Sequence, residues 1–258
     1  MHYETIISSL SDDVAILTLN RPDVMNALTS QMRRELLHAI THAAKTARAI
    51  VITGAGRAFC SGQDLADATT FGAADFERLL RDEYEPLLRA IYDCKVPTIA
   101  AVNGAAVGAG ANLALAADVV IATQSASFVQ SFTRIGLIPD AGGTYWLPRQ
   151  VGMPRAMGSA LFADKITATQ AAEWGMIYAW VPDADFTAHW RARAAHLAQG
   201  PTAAYAHLKH ALRASFANDL DTQLALEARL QSKCGATQDF AEGVAAFLEK
   251  RPANFKGC

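Results

Sequence analysis

Neither sign of charge dominates this chain of 258 residues, in which 23 Lys and Arg stand against 25 Asp and Glu for a formal net charge of −2. That balance removes the polyelectrolyte signature, and no nucleic-acid partner is expected. Long apolar runs are missing too. No stretch reaches the roughly 20 apolar residues of a membrane-spanning helix, and the start Met-His-Tyr-Glu-Thr-Ile-Ile has no basic segment leading into an apolar one, so no membrane role is expected and a cytoplasmic location is. Cysteine is scarce, and Cys60, Cys94, Cys234 and Cys258 lie too far apart for the paired spacings of metal or redox sites; free thiols are expected. The most informative scarcity lies in residues 98–150, where Asp118 and Asp140 are the only carboxylates. A mechanism needing two acidic groups from this stretch is hard to build, and one proton-shuttling Asp is the natural reading.

What is present is ample apolar content, 51% against 19% charged residues, enough for a substantial core. Residues 14–19 read as a strand ending at Arg21-Pro22, and Leu28-Thr29-Ser30 reads as a helix cap. Met32, Leu36, Ile40 and Ala44 then recur every four residues as one buried helical face. Residues 31–48 also carry Arg33, Arg34, Lys45 and Arg48 against Glu35 alone, read as a solvated face, with an anionic partner as the alternative. A strand at 49–53 runs into Gly54-Ala-Gly56; a helix at 76–92, a strand at 97–102, an alanine-rich helix at 108–117 and a strand at 119–122 follow. Beyond Ala141 the chain reads as mainly helical. Strands alternating with helices, then helices alone, give an α/β class. Trp180-Val-Pro-Asp-Ala-Asp-Phe186 reads as a joint, and the expected division is a core at 1–195 and a helical region at 196–258.

Two glycine-rich turns, Gly54-Ala-Gly56 and Gly104-Ala-Ala-Val-Gly108-Ala-Gly110, each follow a strand. Neither has the full spacing of a nucleotide fold, and no Gly-Lys-Ser/Thr follows. A strand, a glycine turn and a helix start do present outward N–H groups with a helix dipole behind them. Two such turns side by side would make a two-donor oxyanion hole; the alternative is that the glycines serve tight turns and close packing only.

The run Gly54-Ala-Gly56-Arg-Ala-Phe59-Cys-Ser-Gly62-Gln63-Asp64-Leu65, followed by Asn103-Gly104-x-x-x-Gly108-Ala-Gly110 and Gly136-Leu-Ile-Pro139-Asp140-Ala-Gly-Gly143-Thr, resembles the enoyl-CoA hydratase/isomerase (crotonase) superfamily over essentially the whole chain. The resemblance implies a spiral of ββα units, C-terminal helices that build a homotrimer or a hexamer of paired trimers, and an acyl-CoA thioester substrate. Coenzyme A is then part of the substrate, and no cofactor or metal is implied. By position, the oxyanion donors would be the main-chain N–H groups of Gln63 and Ala109. Residues 58–65, among them Ala58, Ser61, Gly62, Asp64 and Leu65, would line the adenine pocket, and Lys256 of Phe255-Lys256 would reach the CoA phosphates; a frayed terminus is the other reading. Gly108, Asn112, Phe132 and Gly136 fall at the acyl pocket, and the 66–81 region with Gly72 would supply part of its wall.

The departures from the hydratase pattern are as informative. Hydratases of this superfamily place one Glu at the position of Asn112 and another at that of Phe132. Adding water to a conjugated double bond needs a carboxylate to deprotonate the water and an acid to protonate the α-carbon. An amide and a phenyl ring cannot do this.

Asp140 remains, where several isomerases of the superfamily keep their acid/base carboxylate; the alternative is a cap on the following helix. Asp118 matches a structural turn, and Asp64 is read as a structural hydrogen-bonding residue. The stretches 131–148, 173–177 and 242–251 are most similar to the superfamily's 1,2-epoxyphenylacetyl-CoA isomerases of phenylacetate degradation, which implies isomerising a ring epoxide or shifting a double bond. Phe128, Phe132, Tyr145 and Trp146 are candidate pocket walls, each with core packing as its alternative. Another crotonase chemistry, hydratase or thioesterase, and a non-catalytic acyl-CoA or RNA binder are the other readings.

Overall fold

Apolar runs such as Ala49-Ile-Val-Ile and Thr98-Ile-Ala-Ala-Val suit strands buried on both faces, and the computed structural model, which describes residues 2–68 and 73–258, places them at the middle of a sheet. Residues 69–72, and with them the Gly72 expectation, lie outside the described residues. The elements in order are β1 (Ile6–Ser11), β2 (Val14–Leu19), α1 (Ser30–Thr46), β3 (Ala49–Gly54), β4 (Ala58–Cys60), α2 (Leu65–Ala68), α3 (Ala73–Leu79), a π turn (Leu80–Tyr84) and α4 (Glu85–Tyr92). Next come β5 (Thr98–Val102), β6 (Ala105–Val107), α5 (Ala109–Leu115), β7 (Val119–Thr123), β8 (Ser127–Val129), a 3-10 turn (Ser131–Ile135), α6 (Gly143–Val151), α7 (Met153–Phe162) and β9 (Ile166–Thr167). The chain closes with α8 (Ala168–Glu173), β10 (Ala179–Val181), α9 (Phe186–Ala198), α10 (Thr202–Ala214), α11 (Leu220–Gly235) and α12 (Gln238–Glu249).

A six-stranded sheet has the order β1-β2-β3-β5-β7-β10, antiparallel only at β1 and β2. A second, four-stranded sheet has the order β4-β6-β8-β9. Each successive unit thus gives one strand to the large sheet and the next to the small one: β3 then β4, β5 then β6, β7 then β8. This is the ββα spiral of the crotonase fold. Ile50 and Ile52 face a core shared with Met32, Leu36, Ile40 and Ala43 of α1, while Val51, Ile99 and Ile121 face Phe186, Trp190 and Ala194 of α9. Thr29 caps α1 by accepting from the Met32 N–H at 3.2 Å.

Several expectations change. The buried stripe of α1 passes from Ile40 to Ala43 while Ala44 is only half-buried, since a 3.6-residue repeat drifts off a strict spacing of four. Arg33 does not belong to a solvated face: it is 1% exposed, whereas Arg34 is exposed. Trp180 and Val181 belong to β10 and pair with β7, so the expected joint begins as sheet. Residue 195 falls inside α9, which packs on that sheet. Strand β1 escaped the sequence reading because only Ile6 in it is buried.

The helices after Gly200 are tied to the core by Asp118, whose carboxylate accepts from the Thr98 N–H at 2.8 Å and pairs with Lys209 and Arg213 of α10, both at 2.6 Å. The tail is pinned rather than frayed. Asp239, 3% exposed, accepts from the N–H groups of Lys256 at 2.6 Å and Gly257 at 2.8 Å, and Arg48 donates to the Phe255 carbonyl at 3.0 Å. No helix among the described residues is long and apolar enough to cross a membrane.

Candidate active site

The parallel pairing of β4 with β6 sets the two glycine turns side by side. Glycine is required where they touch. A Cβ on Gly62, at φ +93°, would lie 2.8 Å from the Val107 carbonyl oxygen and 3.4 Å from the Ala109 nitrogen, and one on Gly110 would overlap the Cys60 carbonyl. Asn26 and Asn103 fasten the first turn, each donating to the Ala58 carbonyl, at 2.9 and 3.2 Å.

Two N–H groups at this junction stand out, those of Gln63 and Ala109. Leu28 bridges Gln63 in parallel register, donating to the Gly62 carbonyl at 2.8 Å and accepting from the Asp64 N–H at 3.1 Å. In that geometry the bridged residue's own N–H points the other way. Ala109 opens α5, where the first N–H groups have no partner within the helix. Among the described residues, no main-chain hydrogen bond uses either N–H.

One helical turn beyond Ala109, Asn112 is fully buried. Its amide donates to the main-chain carbonyl of Asp140 at 2.7 Å and accepts from Gln130 at 2.9 Å. The phenyl ring of Phe132 packs where Gly108 lacks a side chain, with Cζ 3.6 Å from the position a Cβ would take. Hydratases of the resembled superfamily have glutamates at these two positions; here stand a strut and an apolar wall.

Asp140 comes three residues before α6, whose N-terminus is Gly142 with no side-chain cap, so Asp140 is not spent on capping. Its Oδ1 is buried without a hydrogen-bond partner among the described residues. Burial pushes its carboxyl up from 3.8 to about 6, opposed only by its own main-chain N–H. A carboxyl that is ionised at neutral pH yet holds a proton more tightly than an ordinary Asp is suited to taking and returning a proton.

The side chain of Gln63 is held from the far side. Its Oε1 accepts from Arg33 Nη1 at 2.6 Å and from the Tyr84 hydroxyl at 2.7 Å. Arg33 also donates to Glu83 at 2.7 and 2.9 Å and to the Leu28 carbonyl at 3.0 Å, with its guanidinium 4.7 Å from the centre of the Tyr84 ring. Burial raises the Tyr84 phenol well above its ordinary range, with Arg33 opposing and Asp140 adding to the rise, so it remains a donor. Sequence reading missed this group, although Arg33 lies three residues before Leu36 on the buried stripe of α1, a visible signal.

The other expected residues take varied places. Ala58 is buried; Ser61 is half-buried and donates to the Val24 carbonyl at 3.2 Å; Leu65 is exposed. Asp64 pairs with Arg21 at 2.8 Å and accepts from the Ala66 N–H at 3.1 Å. Gly136, at φ +76°, closes the 3-10 turn in open space. Lys256 lies against α12, its ammonium 3.2 Å from Asn254 Oδ1. Phe128 is core, and Tyr145 and Trp146 line a separate cavity of about 480 Å³ with Tyr92 and Asp118.

The site thus brings together two glycine turns whose Gln63 and Ala109 N–H groups make no main-chain hydrogen bond among the described residues, and one carboxyl whose burial raises its hold on a proton. A family model described as enoyl-CoA hydratase/isomerase matches residues 9–258. The chain is 64% identical to a Rhodobacter capsulatus protein named "probable enoyl-CoA hydratase", over 100% of both chains. It is 44% identical to the 1,2-epoxyphenylacetyl-CoA isomerase of Escherichia coli, over 98% of this chain and 99% of that one. The solved enoyl-CoA hydratase of Bacillus anthracis superposes with a TM-score of 0.94 at 31% identity, over 99% of this chain and 100% of that one. Fold, paired glycine turns and these likenesses together place the chain in the enoyl-CoA hydratase/isomerase family, the crotonases, whose activity is acyl-CoA hydration or isomerisation.

Proposed function

We propose that this enzyme is an acyl-CoA isomerase that shifts a proton, and with it a double bond, along an unsaturated acyl thioester. The observation that carries this reading is the carboxyl of Asp140, whose buried Oδ1 has no partner among the described residues, beside turns whose Gln63 and Ala109 N–H groups make no main-chain hydrogen bond there. The thioester carbonyl would rest on those two N–H groups. Asp140 takes a proton from Cα of a 3-enoyl thioester, and the electron pair moves into the carbonyl to give a dienolate. The same carboxyl returns the proton at Cγ, leaving a 2-enoyl thioester with no net gain or loss of atoms. Asn112 and Phe132, in place of the hydratase glutamates, support isomerisation over hydration.

The relative named 1,2-epoxyphenylacetyl-CoA isomerase supports an aryl ring epoxide as a second substrate class for the same pocket. We take residues 58–65 as the adenine-binding loop, with Lys256 reaching the CoA phosphates. Exposed apolar side chains on the C-terminal helices, with Phe247 82% and Leu248 73% exposed, support assembly as a homotrimer or a dimer of trimers. Hydration is the second reading, favoured by the name of the 64% identical relative.

Ultraviolet spectra of the enzyme mixed separately with a 3-enoyl-CoA and a 2-enoyl-CoA decide between them. Isomerisation makes the 3-enoyl thioester gain conjugation, and Asp140→Asn stops it. Loss of conjugation from the 2-enoyl thioester, with the 3-enoyl compound unchanged, would replace this proposal with hydration.

A further inference from the structure

We infer that Arg33 and Tyr84 are positioning residues for the oxyanion hole, acting by clamping the side chain of Gln63. This rests on the reading above, in which the Gln63 N–H binds the thioester carbonyl.

The two donors of that hole differ in how they are held. Ala109 is the first residue of α5, so the helix itself orients its N–H. Gln63 has no such support. It follows Gly62, which must be glycine because the opposite turn approaches its α-carbon, and glycine leaves the peptide before Gln63 soft toward rotation. What holds that peptide is the bridge to Leu28, whose N–H donates to the Gly62 carbonyl, part of the same planar unit as the Gln63 N–H. Arg33 and Tyr84 brace that bridge: both donate to Gln63 Oε1, at 2.6 and 2.7 Å, while the same Arg33 nitrogen holds the Leu28 carbonyl at 3.0 Å. One buried guanidinium thus grips both partners of the bridge.

The helix carrying Tyr84 is shaped for this. The π turn Leu80–Tyr84 interrupts the run from α3 to α4, and at its end Glu83 and Tyr84, adjacent in sequence, both reach Arg33. Widened turns of this kind are frequent at functional sites. Glu83 and Ser30 take up the remaining Arg33 donors, so the buried charge is fully partnered and fixed in orientation.

The test reads the hydrogen bonds at the thioester carbonyl directly. Cinnamoyl-CoA has no γ-proton for an isomerase to move, and its absorption shifts to longer wavelength when donors polarise its carbonyl. Tyr84→Phe and Gln63→Met each keep every main-chain N–H. The expected result is a smaller red shift for both, with kcat for the 3-enoyl substrate down about tenfold and KM within about twofold. Circular dichroism checks that each variant is folded, and Tyr84→Phe, which removes one oxygen, carries the test if Gln63→Met does not fold. A full red shift with unchanged kcat in the folded variants overturns the inference.

Ala109→Pro separates this from a failure of the underlying reading. Proline is tolerated at the first position of a helix and removes that donor alone. If the shift falls in Ala109→Pro and stays in the Gln63 and Tyr84 variants, the positioning role is wrong and the hole stands. If the wild type shows no shift, or Ala109→Pro leaves it intact, the hole itself is wrong and the inference goes with it.

Discussion

The side-chain amide of Asn112 donates to the main-chain carbonyl of Asp140 at 2.7 Å, and only the lack of a side chain at Gly143 leaves it room. The position at which hydratases of this family keep a glutamate is therefore structurally committed here. A carboxylate at 112 would set oxygen against the Asp140 carbonyl and would have no proton to donate. Asn112→Glu, alone or with Phe132→Glu, is expected to leave 2-enoyl-CoA unhydrated and to lower isomerisation by about 100-fold through displacement of Asp140. Absorbance of the 2-enoyl thioester checks this; hydration by the double variant would refute it.

The raised Asp140 carboxyl sets the acid side of the pH profile. If ionised Asp140 removes the first proton, kcat/KM falls as one ionisation below about pH 6, the value to which burial has raised it. Steady-state rates from pH 5 to 8 with a 3-enoyl-CoA locate the limb; a midpoint near the ordinary carboxyl value of 3.8 would contradict the buried setting.

Asp140 should also weaken the fold at neutral pH. Its carboxyl binds a proton more tightly folded than unfolded, so stability falls as pH rises from 3.8 to about 6, and the cost is complete above that window. The shift corresponds to about 3 kcal/mol. Asp140→Asn is expected to melt several degrees higher than wild type at pH 8, with the gain gone at pH 4. Equal melting temperatures at pH 8 would show that the carboxyl is not desolvated.

Neighbouring arginines on α1 should behave oppositely. Arg33→Met strands Glu83 without its partner, and because Glu83 is a quarter exposed the loss is expected at about 2–3 kcal/mol. Arg34→Ala, on the solvent side, should stay within about 0.5 kcal/mol. Urea unfolding of both variants measures the contrast.

Light scattering after gel filtration tests the assembly. The chain is expected at the mass of a trimer or hexamer, and Phe247→Glu with Leu248→Glu is expected to shift it toward the monomer. A wild-type monomer would leave the apolar face of α12 without a partner copy.

Much of this was legible in the sequence, for physical reasons. The strands 49–53 and 97–102 declared themselves because parallel strands buried on both faces are apolar throughout, and the Thr29 cap because its side chain does one local job. The strands β4, β6 and β8 were hidden inside glycine motifs or were too short for a period to register. Asp140 was visible as one of only two carboxylates in its segment. Its surroundings were not: Asn112 reaches the Asp140 carbonyl and Gln130 reaches Asn112, while Tyr84 reaches Gln63 and Glu83 reaches Arg33, all through contacts between distant elements. Arg33 misled because charge on a helix is ordinarily solvated, and only the tertiary partners of its guanidinium explain its burial.

The proposed donors Gln63 and Ala109 follow different strands of the small sheet and meet only where β6 docks on β4. Neither unit holds half a catalyst; each holds an idle amide. A folding chain can therefore recover nearly all its helical signal while still inert, and the return of turnover, rather than of helicity, would mark the moment those two strands join.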